Sequence, residues 1–334
     1  MKRLLFFSAY NAPFVQKDIQ ILSKEYSLEL AYGNNLKKSI LNYLLIFWGS
    51  IWQVQRSDLV YCWFADYRAR IGVFWSKFFR KKCVVVIGGY EVKALLYEEA
   101  EQKSISSHLS FILKNADMII NVSDHYQKRL CEIYPQFAAK MVRIYNGIEI
   151  NPQDMGILEK EKLVLTVCLG NTAARYMEKG IDLFIKAAEN LPVYQFVIIG
   201  PEGSLKEEIL KNINSDNLVI IPPLAEESLN NWYKKTKVYC QFSRNESFGL
   251  AVVEAMSWQC VPVVSPVPSL IERIGDKGYV LEMRDIPEAV NKIEMAMNAD
   301  NEKGKEAADW VEELYNIKIR EQQLLTKLKE IDEH

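Results

Sequence analysis

Ser243–Pro262, SRNESFGLAVVEAMSWQCVP, lies between two β-rich runs, Val238–Phe242 and Val261–Val264. Apolar Leu250, Val253, Ala255 and Met256 give its middle a helical spacing. Ser243 and Asn245 are cap-type residues ahead of that helix, and Gly249 permits a tight turn. Strand, helix and strand in this order predict one repeat of a parallel α/β sheet. Two acids mark the segment: Glu246 before the helix, and Glu254 eight residues later. With a helix beginning near Phe248, Glu254 lies about 9 Å further along, at roughly 1.5 Å per residue. Carboxylates so far apart cannot share one proton. They can hold two ends of an elongated, hydroxyl-rich ligand, with helix N-terminal amides between them for a phosphate.

The surrounding chain repeats the pattern. Before the stretch come a strand at Leu163–Leu169, a helix at Ile181–Asn190, and strand-like Phe196–Ile199. Helical Leu205–Ile213, strand-like Leu218–Ile221 and helical Glu226–Lys235 follow. The first half has compact apolar runs at Leu4–Ser8, Ser27–Tyr32, Asp58–Ala65, Cys83–Ile87, Met118–Val122 and Met141–Ile144. Phe14–Tyr26 has helical spacing, and the final WVEELYNIKIREQQLLTKLKEI reads as one long amphipathic helix. Glu149–Glu161 loses periodicity. The expected organisation is a first domain over residues 1–150, a linker over 151–162 and a second domain over 163–309. The helix of about 310–334 is expected to return to the first domain. Two such β/α series predict similar Rossmann-like domains facing a central cleft, with ligands at the carboxyl ends of the strands.

At 334 residues the chain is long enough for two domains, and 49 % apolar with 25 % charged residues is ordinary for a globular protein. The six cysteines make no C-x-x-C pair and sit in apolar surroundings, as reduced core residues of a cytoplasmic protein do. Three histidines without a ligand cluster give no expectation of a metal. MKRLLFFSAYNAPF has too short an apolar run for a signal peptide and reads as a first buried strand. Residues 1–150 carry +7 and the remainder −9, within a net charge of −2. That asymmetry fits halves with different tasks.

Two first-half segments stand apart. Ser39–Gln55 has no charge, and Leu41, Leu44, Leu45, Phe47, Trp48, Ile51 and Trp52 crowd its faces, yet it is too short to span a bilayer. Arg68–Lys82 interleaves six basic residues with Ile71, Val73, Phe74, Trp75, Phe78 and Phe79. Residues 39–55 and 68–82 read either as a seat on an anionic membrane surface or as helices packed on the sheet with a solvated basic rim. The first reading puts the protein peripherally on the inner face of the membrane. Nucleic acid is not expected, for want of any helix-turn-helix, zinc-finger or RNP pattern.

No G-x-G-x-x-G follows the first strand, and there is no Walker A lysine motif, G-x-S-x-G elbow or H-E-x-x-H. Gly170–Gly180, GNTAARYMEKG, reads as a loop after a strand and brings Arg175 and Lys179 near its end, where they can hold a diphosphate by charge-assisted hydrogen bonds. Solvated surface charge is the plainer alternative for Arg175.

Ser243 to Leu250, Glu254-Ala255-Met256 and Pro262-Val263-Val264 together resemble the donor-binding signature of retaining glycosyltransferases of the GT-B fold, family 4, also called glycosyl transferases group 1. Lys179-Gly180, the strand ending Ile198-Ile199-Gly200, and Ile271-Glu272 extend the likeness over most of residues 163–285. Tyr145-Asn146-Gly147-Ile148 is similar to the family's approach to its linker. The resemblance implies a UDP- or GDP-sugar as donor, a saccharide or lipid-linked acceptor, and neither cofactor nor metal. It gives Glu246 the sugar hydroxyls, and the amides of Ser247, Phe248, Gly249 and Leu250 the diphosphate. Glu254 would take the ribose, and Lys179 with Arg175 the charge of the leaving nucleotide. Gly200 and Asn171 count among the donor-binding residues, though Asn171 stands where the family carries arginine. Glu91, in Gly88-Gly89-Tyr90-Glu91, replaces a family histidine; its alternative is a solvent-facing acid at a helix start. His125 is expected to cap or pack. An inactive partner subunit and a nucleotide-sugar epimerase or phosphorylase are the competing functions.

Overall fold

The computed structural model describes residues 1–8, 11–31, 39–89, 91–92, 102–150 and 158–333. Tyr10, Tyr32, Tyr90 and linker residues 151–157 lie outside them. The chain divides into two compact units, Met1–Gly147 with Ile317–His334, and Ile148–Asn316.

Among the described residues each unit is built on one six-stranded parallel sheet. In the first, β1 (Lys2–Ser8), β2 (Tyr26–Leu30), β3 (Leu59–Trp63), β4 (Lys82–Ile87), β5 (Met118–Asn121) and β6 (Met141–Arg143) lie in the order β2-β1-β3-β4-β5-β6. In the second, β7 (Glu161–Gly170), β8 (Gln195–Pro201), β9 (Leu218–Ile221), β10 (Thr236–Gln241), β11 (Val261–Val264) and β12 (Tyr279–Val280) lie in the order β12-β11-β10-β7-β8-β9. Helices cover both faces of such sheets, so central strands are continuous apolar runs: Val84, Val85 and Val86 of β4 and every residue of β10 are buried. This is the α/β architecture of the GT-B fold.

Strand order in the second sheet reverses direction between β7 and β10, which pair directly. Loops leaving the carboxyl ends of those two strands diverge, and the crevice they open is where open α/β sheets bind ligands. Gly170–Gly180 follows β7, and the Glu246 loop follows β10.

Three local expectations are corrected. The helix after β10 is Leu250–Ser257 and its N-cap is Gly249 at φ 84°; neither Ser243 nor Asn245 caps it. Gly170–Gly180 holds a short helix, Ala174–Glu178. The last long helix is two, Asn301–Tyr315 and Ile317–Glu333, broken at Asn316 with ψ 134°. Extended backbone there lets Asn316 bridge Ile148, whose N–H donates to the Tyr315 carbonyl at 2.8 Å.

The helix Ile317–Glu333 docks on the first unit through a buried ion pair. Arg320 Nε and Nη2 donate to Asp18 at 2.6 and 2.7 Å, and Tyr61 and Trp63 donate to the same carboxylate, each at 2.7 Å. Arg320 Nη1 reaches the carbonyls of Ile144 and Tyr145.

Candidate functional site

Backbone geometry brings the two loops of the second unit together. Gly180, at φ 72°, starts the helix Ile181–Asn190, and a Cβ there would lie 1.9 Å from the Phe242 carbonyl oxygen. Only glycine lets the loop after β7 press against the loop after β10. Arg244 N–H then donates to the Glu178 carbonyl at 2.9 Å, and its guanidinium pairs with Asp182 at 2.9 Å. Arg284 joins them, donating to Asp182 at 3.0 Å and to the Phe242 carbonyl at 3.2 Å. Burial disfavours the Asp182 carboxylate, but the two arginines prevail and hold its pKa below the ordinary range. A cavity of about 550 Å³ opens among Tyr176, Asp182, Lys186, Arg244 and Arg284; neither Lys179 nor Glu246 lines it.

That contact places Lys179 Nζ 2.7 Å from Glu246 Oε2, with both side chains mostly buried at 18 % and 17 % exposure. Burial works against the ammonium, yet the Glu246 charge and hydrogen bond more than offset it, and Lys179 is raised above the usual lysine range. It is therefore fully charged at neutral pH. The Arg175 guanidinium opposes that charge from nearby, and its side chain crosses Gly170, where an added Cβ would sit 2.4 Å from Arg175 Cδ. Arg175 and Lys179 thus converge at the end of β7.

The Glu246 loop is held from several sides. Ser247 N–H donates to Glu246 Oε1 at 3.2 Å, and Ser269 Oγ donates to the Glu246 carbonyl at 2.5 Å. Upstream, Tyr239 donates to Gln241, and Gln241 to Ser243, at 2.9 and 2.7 Å in the buried interior. Downstream, fully buried Arg273 donates to the Phe248 carbonyl at 3.1 Å, lies over the Phe248 ring at 4.2 Å, and reaches Tyr315 at 3.2 Å. Gly249 has no room for a side chain, since a Cβ would meet Leu270 at 2.7 Å. Val252 and Val253 N–H donate back to the Gly249 carbonyl at 3.1 and 3.3 Å, so the N–H groups of Leu250 and Ala251 precede the helical ladder and form its positive dipole end.

Glu254 lies one turn into that helix and accepts from the Tyr233 hydroxyl at 3.4 Å, while burial and the Glu254 charge push that phenol well above its ordinary pKa. Gly200, at φ 106°, is the penultimate residue of β8 and lies against Leu169. Exposed Asn171 accepts through its carbonyl from Ser204 Oγ at 3.1 Å. Glu246, Lys179 and Arg175 are thus gathered, with Ser247 to Leu250 continuing from them. Glu91 belongs to the first unit. Its carboxylate is fully buried and accepts from the N–H groups of Ala65, Gly88 and Gly89 at 2.8, 3.5 and 2.9 Å. It clamps the loop after β4, and a solvent-facing acid at this position is ruled out. His125 sits in the first turn of the helix Asp124–Ile133, its ring 5.5 Å from that of Tyr126. The sequence reading missed Asp182, Ser269, Arg273 and Arg284, whose partners are remote in sequence and leave no local pattern.

The family model for glycosyl transferases group 1 matches residues 148–316, about half the chain and the whole second unit. The chain belongs to that family. Among curated members, the GDP-mannose:cellobiosyl-diphosphopolyprenol α-mannosyltransferase of Xanthomonas oryzae is 29 % identical over 130 residues, 36 % of this chain and 34 % of the relative. The sulfoquinovosyl transferase of Arabidopsis thaliana is 28 % identical over 209 residues, 57 % of this chain and 40 % of the relative. The matched regions thus span about a third to two-fifths of those relatives. Solved structures share the fold over nearly the full chain. Anabaena HepE, in complex with UDP and glucose, has a TM-score of 0.76 at 16 % identity, covering 99 % of this chain and 100 % of that one. The sucrose-phosphate synthase of Thermosynechococcus elongatus has a TM-score of 0.79 at 15 % identity, covering 98 % of each.

Proposed function

We propose that this group 1 protein moves a sugar from a UDP- or GDP-sugar to a saccharide or lipid-linked acceptor, with retention of anomeric configuration. The observation that carries the reading is the 2.7 Å pairing of Lys179 with Glu246 where strand order reverses, beside the helix start at Gly249. In this reading the Lys179 ammonium and the Arg175 guanidinium take the diphosphate, with the N–H groups of Ser247 to Leu250. Glu246 accepts from hydroxyls of the transferred sugar, and Glu254 from those of the ribose. Gly200 and Asn171 border the same end of the sheet.

The step proceeds on one face of the sugar. The acceptor oxygen bonds to the anomeric carbon on the side the diphosphate leaves, the C1–O bond breaks with its electron pair going to the phosphate, and the phosphate takes the acceptor proton. Fixed cations stabilise charge as it develops on the leaving group, a role for which this mechanism needs no metal ion. The Xanthomonas relative acts on cellobiosyl-diphosphopolyprenol, a lipid-linked saccharide, which supports that acceptor class and a place in cell-surface polysaccharide or glycolipid assembly.

A panel of UDP- and GDP-sugars, assayed for nucleotide release with saccharide and polyprenol-linked acceptors and for product configuration by NMR, tests the reading. An α-configured donor giving an α-linked glycoside supports it. An inverted product overturns retention. An altered sugar nucleotide would make the protein an epimerase, and no thermal shift with UDP or GDP would make it an inactive partner.

A further inference from the structure

The first unit carries a large apolar surface that the transfer reading does not use. Helices Ile40–Gly49 and Ile51–Arg56 meet at Ser50, which has helical dihedrals, so side-chain spacing continues from one to the other. Ile46 and Val54 are fully buried and anchor one side. The opposite side shows Leu41 at 66 %, Trp48 at 62 % and Trp52 at 65 % exposure, with Leu44 and Leu45 between them. Trp75 Nε1 donates to the Phe47 carbonyl at 2.8 Å, and the Phe47 ring lies 5.4 Å from Phe74, joining the pair to the helix Tyr67–Phe78. That helix adds exposed Phe74 and Phe78 to the same surface.

Charge decides what such a surface meets. Residues 39–55 have no charged side chain, and residues 67–82 have six cations and no acid. Arg68 is buried against Asp66, which leaves Lys77 and Arg80 exposed beside the aromatics, with Arg56 stacked on Trp52 at 5.9 Å. The basic helix is therefore not the element that lies on a surface: Arg68, Ile71, Val73 and Trp75 face inward. The outward face belongs to residues 40–56, with Phe74, Lys77 and Phe78 as its flank. A two-fold pairing of this face with itself would set cations against cations with no acid on either helix. Exposed tryptophans within a basic rim suit the interface of an anionic bilayer, where aromatic rings sit among headgroups and each cation adds attraction.

We propose that this face seats the protein on an anionic lipid surface, without crossing it. The binding requires no donor or acceptor, so it stands or falls apart from the transfer reaction. The test is co-sedimentation of the full chain with phosphatidylcholine vesicles, with and without phosphatidylglycerol, at 50 and 500 mM salt, alongside tryptophan emission. We expect binding to the anionic vesicles at low salt, a blue shift, and loss in high salt. Trp48→Gln/Trp52→Gln and Lys77→Glu/Arg80→Glu each weaken partitioning at least about tenfold, by the interfacial apolar and charge contributions. Because these residues are exposed, circular dichroism and melting temperature stay unchanged. No binding at low salt, or binding by both double variants as strong as that of the wild type, overturns the proposal. So does a dimer in light scattering that Trp48→Gln/Trp52→Gln splits.

Discussion

Asp18→Asn perturbs the buried ion pair among the charge contacts that hold the helix Ile317–Glu333 to its unit; Lys24–Glu321 and Lys2–Asp332 are more exposed. Asp18 is fully buried and Arg320 is 2 % exposed, so water cannot replace what the substitution removes. The carboxylate accepts from both Arg320 nitrogens, from Tyr61 and from Trp63. An asparagine loses the negative charge and turns an NH2 toward donors, leaving the guanidinium uncompensated. Breaking a buried pair in this way costs about 3–5 kcal/mol. At roughly 2–4 °C per kcal/mol for a unit of this size, the melting temperature falls by about 10 °C. Urea unfolding followed by circular dichroism measures the loss, and limited proteolysis should cut first near residue 316. The double variant Asp18→Leu/Arg320→Met removes both charges and should recover part of the stability, while Tyr61 and Trp63 still lack their acceptor. A loss below about 1 kcal/mol for Asp18→Asn, or a double variant worse than the single one, would refute the reasoning.

Three further outcomes follow from the same geometry. Gly180→Ala places a Cβ 1.9 Å from the Phe242 carbonyl at φ 72°, costing about 1–3 kcal/mol from the dihedral alone; donor turnover should fall with stability. Arg273→Met removes the guanidinium bonds to the Phe248 carbonyl and the Tyr315 hydroxyl and should cost about 3 kcal/mol. Its nucleotide affinity, measured by calorimetry well below the melting temperature, should also drop as the Glu246 loop loosens. Burial pushes the Glu91 carboxyl up to about 7 from 4.5, against the backbone N–H groups that it accepts from. Between those values the unfolded chain holds fewer protons than the folded one, so stability falls as pH rises. The loss approaches about 3 kcal/mol at pH 7 and above, and subtracting the Glu91→Gln profile isolates it.

What the sequence made legible follows from where its information is local. Ile181–Asn190, Leu218–Ile221 and Glu226–Lys235 were readable to the residue, because apolar periodicity and punctuation such as Gly180 coincide with their ends. The meeting of Lys179 with Glu246 was visible only as a resemblance; strand order supplies its physical cause, since β7 and β10 are neighbours. The break at Asn316 was hidden because its flanks keep one amphipathic register. Its extended backbone is set by pairing with Ile148, far away in sequence. Arg68 looked like surface charge until Asp66, two residues earlier, took it inward. Asp182, Arg273 and Arg284 were unreadable for the same reason, their partners being long-range.

The pairing of Lys179 with Glu246 is tested most directly by separating binding from turnover in two variants with the accepted nucleotide sugar. Lys179→Ala should lower kcat by about 10²–10³-fold and weaken nucleoside diphosphate binding, because a cation aimed at the leaving phosphate is gone. Glu246→Ala should bind the free nucleoside diphosphate nearly as wild type does, yet lose turnover of the sugar nucleotide. Wild-type kcat in both variants, with both folded, would contradict the assignment of this site.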